Sequence, residues 1–290
     1  MDVLLLPLVN GLTQAAVLFM IAAGLTLIYG VLGVINFAHG SFVMLGSYLT
    51  MFFFVGKFDT VLGLFSFIFI SSVVITLLGW AVEVLVMRRM YKANEFYMVL
   101  ATYAILLIIE GCVEKYWGAS PLSLPLPDSL NTTISIFGIS VPFYSILICI
   151  IGIAVMGILW FLMNHTNLGR IIRAAAADKT MTNSLGVNVP ALFTVVFVIG
   201  IFLAAFAGGL LAPTVALLPN MGVNLVIQAF VVVVVGGLGN IKGALLSAVL
   251  VGVLDSFLGF YIPVLTGITS YIVMAVILTI RPQGLLGKVG

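Results

Sequence analysis

LTQAAVLFMIAAGLTLIYGVLG, Leu12–Gly33, carries no charged residue and is long enough to cross the roughly 30 Å of bilayer hydrocarbon as one helix. Working outward from it, comparable apolar runs recur at Ser41–Val55, Val61–Val86, Phe96–Trp117, Phe143–Met163, Ala191–Pro213, Asn224–Gly237, Ala244–Ile262 and Val264–Ile280. About nine hydrophobic segments follow, eight to ten once short or broken ones are allowed for. Composition agrees: hydrophobic residues make up 63% of the 290-residue chain and charged residues 7%. A soluble domain carries about 25% charged residues. The expected fold is all-α, a polytopic integral membrane protein, with residues 1–290 forming a single transmembrane domain.

The basic residues set the threading. Arg88, Arg89 and Lys92 form one cluster, Arg170, Arg173 and Lys179 a second, Lys242 a third, and Arg281 with Lys288 the end. All fall on the cytoplasmic side if the amino terminus lies outside and the carboxyl terminus inside. Lys57, beside Asp59 in a short outer loop, is the exception. GASPLSLPLPDSLNTTISIFGISVP, Gly118–Pro142, has no lysine or arginine, and its prolines exclude a helix. It reads as an outer cap over 118–142, ending in a small hairpin where ISIFGISV alternates about a glycine. No basic n-region marks a cleaved leader. Cys112 and Cys149 sit in apolar runs without metal-ligand spacing, and a net charge of +2 gives no reason to expect nucleic acid. No cofactor is called for.

NHTNLGRIIRAAAADKTMTNSLGVNVP, Asn164–Pro190, is the one long polar interruption. Leu168, Ile171, Ile172, Ala175 and Ala176 follow the spacing of one helical face, with Arg170 and Arg173 opposite. Asn167 suits the start of this helix and Gly186 its stop. A basic amphipathic helix between two spans is either a handle for a cytoplasmic partner or a loop obeying the positive-inside rule.

Three polar places interrupt the apolar runs. In YGVLGVINFAHGSF, Tyr29–Phe42, glycines bracket Asn36 and His39 before a short second segment. That pattern fits a discontinuous helix beside a translocation route, or a tight turn with a hydrogen-bonded histidine. VVVVVGGLGNIKGALLSA, Val231–Ala248, repeats the motif of a short run and a glycine-rich break, and lacks the spacing of a phosphate loop. Close packing is its alternative reading, through Gly243, Ala244, Ser247 and Ala248. Last come the carboxylates: Glu110 and Glu114 share a helix face, and Asp255 stands alone in the eighth run. Charges at depth face a cavity or a partner, so Glu110 or Asp255 could couple an ion in a stand-alone secondary transporter, and a passive channel is a third class.

GLTLIYGVLGVINFAHGSFVMLGSYL, LGRIIRAAAADKTMTNSLGVNV, VVVVVGGLGNIKGALLSAVLVG and RPQGLLG, in this order, resemble the permease subunits of bacterial branched-chain amino acid ABC importers of the LivH type. The resemblance runs from about Gly11 to Gly287. It implies an inner-membrane subunit that is not itself an enzyme. Its implied partners are a second permease, related or identical, two cytoplasmic ATP-binding subunits, a periplasmic substrate-binding protein, the bilayer and an amino acid substrate. It places Gly33, Asn36, Phe37, His39, Gly40 and Ser41 on the translocation path. The 164–190 segment would couple to the ATPases through Leu168, Arg170, Ile171, Ile172, Arg173, Ala175, Asp178 and Gly186. This chain has Ser41 where many relatives carry an acid, and Glu110 where most are apolar. A similar NFAHG block occurs in permeases for urea or short amides, which is the alternative substrate class.

Overall fold

The computed structural model describes residues 2–56, 60–91, 93–136 and 138–287. Lys57, Asp59, Lys92 and Lys288, used in the threading, lie outside them. The chain is helical almost throughout. α1 spans Asp2–Leu32, α2 Ala38–Phe54 and α3 Val61–Val82, which continues through a π-helical turn, Glu83–Met87, into α4, Arg88–Met90. α5 is Glu95–Trp117 and α6 Phe143–His165. Two short helices follow, α7 Asn167–Ala177 and α8 Lys179–Ser184, then α9 Val189–Leu211, α10 Met221–Gly236, α11 Ile241–Tyr261 and α12 Thr269–Ile280.

Among the described residues, six helices are long and apolar enough to cross a membrane, and three apolar helices, α2, α10 and α12, are shorter. Together they occupy the nine expected runs, and the first begins earlier than expected, near the amino terminus. α1 is the most enclosed, packing against α11, α9, α6 and α10, while α2 lies on α9, α10, α3 and α5. Apolar helices gain little from leaving lipid for one another, so close backbone approach does much of the binding. A Cβ at Gly208 of α9 would run into the Val43 carbonyl of α2, where the Ser47 hydroxyl donates to the Gly208 carbonyl at 2.7 Å.

Loops gather at two ends. At one, the expected hairpin forms from β1, Thr133–Ile136, and β2, Ile139–Pro142, antiparallel, with Ile136 opposite Ile139 and Gly138 at φ 83° in the turn. Leu122 pairs with Leu217, fastening this cap to the connection between α9 and α10. At the other end lie the end of α1, the α7–α8 segment, the α10–α11 turn and the carboxyl-terminal tail. Here GGLGN and RPQGLLG close on each other. The Leu285 and Leu286 amides donate to the Val235 and Gly236 carbonyls at 2.7 and 3.1 Å, and Asn240 Nδ2 donates to the Leu286 carbonyl at 2.8 Å. GGLGN is thus a tight turn between two helices, with Gly236 against Gly243, and the close-packing reading describes it better than a break within a span.

Candidate functional site

α1 ends at Leu32, with Gly33 in a left-handed turn at φ 76°, and α2 starts only at Ala38. Its starting depth follows from its neighbours. His39 Nε2 lies 2.9 Å from the Ile21 carbonyl, about 16 Å up α1 from its end at 1.5 Å per residue. The Phe37 amide donates to Thr102 Oγ1 at 3.1 Å, about 10 Å into α5. The His39 ring lies against Gly24, which itself packs on Gly200, about 16 Å into α9. These levels put the start of α2 about 10–16 Å inside the ends of the helices around it. α2 thus begins inside the bundle, as a discontinuous helix does, and His39 is hydrogen-bonded, as in the tight-turn alternative.

Asn36 and His39 are 3% and 0% exposed, and Ser41 is buried beside them. Among the described residues, Asn36 Nδ2, His39 Nδ1 and Ser41 Oγ have no hydrogen-bond partner, an uncommon state for buried polar groups. Phe37 is half-buried and meets Tyr103 edge-on at 6.3 Å. Gly40 allows contact with α10: a Cβ there would fall on the Gly222 carbonyl, and Gly222 in turn faces Ser41. The amino termini of α2 and α10 thus meet. α3, α5, α7, α8, α9 and α11 each start with a side chain accepting a backbone N–H; α2, α6, α10 and α12 do not, and of these α2 and α10 meet at their amino termini. Glu110 of α5 sets its carboxyl beside the Val223 amide, in the first turn of α10. The sequence brought Asn36, His39 and Ser41 to notice together; it gave no sign that Gly222 and Glu110 join them. Asp255 lies elsewhere, accepting from Gln14 Nε2 at 2.9 Å and from the Gly267 amide at 3.2 Å, and so ties α11 to α1 and to the α11–α12 connection.

The 164–190 segment differs from expectation in three ways. Thr166, not Asn167, caps α7, accepting from the Gly169 amide at 3.1 Å, because its side chain stands one residue before the helical dihedrals begin. Asp178 breaks the helix: extended there, it caps α8 by accepting from the Met181 amide at 2.9 Å. Gly186, at φ 85°, then stops α8 as expected. Third, the apolar stripe turns inward. Ile172 and Ala175 are buried, and Leu168 and Ile171 pack against the core as α7 lies on α6, α1 and α9. Arg170 and Arg173 remain outside, and Arg173 donates to the Met163 carbonyl. What the segment shows outward beyond the break is an i, i+4 apolar pair, Met181 at 58% and Leu185 at 73% exposure.

One link joins this segment to the end of α1, just before α2. Lys179, the first residue of α8, donates from Nζ to the Leu32 carbonyl at 2.9 Å, at the last turn of α1. Its ammonium also stands 5.7 Å from the centre of the Phe193 ring, and Phe193 meets Tyr91 edge-on at 5.1 Å. The Tyr91 hydroxyl donates to Glu83 Oε1 at 2.6 Å, which Arg88 Nε approaches to 3.5 Å. Burial, then the bond to Glu83, raise the Tyr91 hydroxyl above its ordinary range, so it stays a donor. Glu83, fully buried in the π turn, escaped the sequence reading because it lies within the apolar run Val61–Val86, close to the basic cluster that follows. π turns of this kind recur at functional places. A cavity of about 820 Å³ flanks this end, between Trp160, Arg173, Lys242 and the tail; Asn36, Phe37, His39 and Ser41 do not line it.

A bundle of apolar helices, six of them long enough to cross a membrane, defines a multi-pass membrane protein. The chain belongs to the family described as branched-chain amino acid transport system / permease component, which it matches over residues 8–280. It is 32% identical to the high-affinity branched-chain amino acid transport system permease protein BraD of Pseudomonas aeruginosa, over 97% of this chain and 95% of that one. It is 28% identical to the corresponding LivH protein of Salmonella typhimurium, over 96% and 94%. Among solved structures it resembles PsaBC from Streptococcus pneumoniae in complex with Fab, with a TM-score of 0.51 at 13% identity, covering 93% of this chain and 89% of that one, which supports the fold.

Proposed function

We propose that this chain is the permease subunit of an ATP-driven importer for branched-chain amino acids in a bacterial inner membrane, its amino terminus outside and its carboxyl terminus inside. A periplasmic binding protein delivers the substrate, a second permease completes the path, and two cytoplasmic ATP-binding subunits hydrolyse ATP. The observation that carries this reading is the meeting of two uncapped helix amino termini, α2 and α10, inside the bundle beside the unpartnered Asn36 and Ser41. Amides at helix amino termini carry partial positive charge and suit a substrate carboxylate. Asn36, Phe37, His39 and Ser41 line the path in this reading, with Gly33 and Gly40 permitting the break and the close approach.

The coupling segment seats in the ATPases through α8 rather than through the α7 stripe, with Met181 and Leu185 as knobs and Arg170 at the rim. Movement of α8 reaches α2 through Lys179 and the end of α1, shifting a two-state equilibrium between outward and inward access.

The test is Asn36→Ala in the importer reconstituted with its partners. Asn36 Nδ2 bonds nothing among the described residues, so its loss leaves stability close to wild type, and a fall in transport reports function. Uptake is expected to drop at least several-fold with ATPase subunits still bound. Wild-type uptake by Asn36→Ala and by His39→Gln would remove this segment from the path.

A further inference from the structure

Glu110 is a carboxylate at membrane depth on a helix that is mostly bare. It lies about 22 Å along α5 from Glu95, well inside the apolar run, and Leu107 and Ile108 near it are exposed. An ionisable group at such a level faces the bundle interior, a water-filled cavity or a partner, because lipid does not solvate it. α5 touches α10, and three observations describe the surroundings of this carboxyl. Its residue is half-buried, its Oε1 is enclosed without a hydrogen-bond partner, and its carboxyl lies beside the Val223 amide. Val223 follows Gly222, the residue against which Gly40 and Ser41 pack. The carboxylate thus stands beside the first turn of α10, where that helix meets the amino-terminal turn of α2, and the nearby polarity is otherwise that of donors: first-turn amides and the Ser41 hydroxyl.

A junction of donors alone would suit any small anion. Adding one acid at its edge makes it bipolar, and a zwitterion with its two charges on adjacent carbons matches a site with donors on one side and a carboxylate on the other. We propose that Glu110 is the ammonium-recognising carboxylate of the translocation path, holding the α-amino group of the passing amino acid while the helix-start amides take its carboxylate. This rests on the importer reading above and assigns Glu110 a role different from ion coupling.

The experiment uses the importer reconstituted in proteoliposomes with saturating leucine-loaded binding protein, comparing wild type, Glu110→Gln and Glu110→Asp. Gln retains the shape and an oxygen that can accept from Val223, so a merely structural acid tolerates it. The proposal expects Glu110→Gln to lower the maximal leucine transport rate about tenfold, with the half-saturating concentration of loaded binding protein unchanged, and Glu110→Asp to recover part of the loss. A Gln variant that transports like wild type overturns it, as does an Asp variant no better than Gln. Absence of ATP-dependent leucine uptake by the wild type would refute the importer reading itself, a result distinct from either.

Discussion

Replacing Lys179 with methionine keeps most of the side chain's apolar length and removes two contacts: the ammonium bond to the Leu32 carbonyl at 2.9 Å and the approach to the Phe193 ring at 5.7 Å. A buried charge-assisted hydrogen bond is worth about 1.5–3 kcal/mol. Lys179 is exposed overall, and solvent screening reduces that to about 1 kcal/mol. The ring contact adds about 0.5 kcal/mol at such a site. The sum, about 1.5 kcal/mol, lowers the melting temperature by only about 2–4 °C in a chain of this size. Placed on the equilibrium that couples α8 to α2, the same energy is roughly a tenfold effect. In proteoliposomes Lys179→Met should therefore hydrolyse ATP near the wild-type rate while moving about a tenth of the substrate per ATP. Lys179→Arg, which can still reach a carbonyl, should retain most of the coupling. A Lys179→Met importer with the wild-type ratio of substrate to ATP, melting a few degrees lower, would show that the contact is structural and that force reaches α2 by another route.

The two faces of the coupling segment should separate cleanly. Leu185→Asp with Met181→Ser should release the ATPase subunits from purified complexes with the fold intact, whereas Ile172→Asp should bury an unpaired charge and cost the fold several kcal/mol, read as lost expression and a lower melting temperature. Single cysteines at Ser129 and Asn183, both exposed, in a chain lacking Cys112 and Cys149, should label from opposite faces with an impermeant reagent; labelling of both from outside refutes the threading. Asp255→Asn should leave uptake at fixed ATP insensitive to collapse of the proton gradient, since its carboxylate is held by Gln14 and Gly267, and uptake driven by a gradient without ATP would favour a secondary transporter instead.

The helices were legible because burial in lipid leaves a one-dimensional trace, an apolar run, and every expected run holds one. Contacts between distant runs leave no such trace. The pairing of Gly222 with Gly40 and Ser41, the approach of Glu110 to Val223 and the closure of the tail on the α10–α11 turn depend on which helices lie side by side, and spacing along the chain says nothing of that. The α7 stripe shows a second limit. Helical periodicity states that one face is buried and is silent on what buries it. A basic amphipathic helix at a membrane boundary has two candidate partners, its own bundle and a protein outside, and both select the same pattern. The pattern that discriminates lies past Asp178. That residue is a favoured cap type, and the turn it starts places Met181 and Leu185 outside the register of the stripe, where the bundle does not cover them. Among the described residues this apolar pair is left bare by the break while the stripe is covered, so under the proposed function the outward pair, and not the stripe, is what a cytoplasmic subunit would bury.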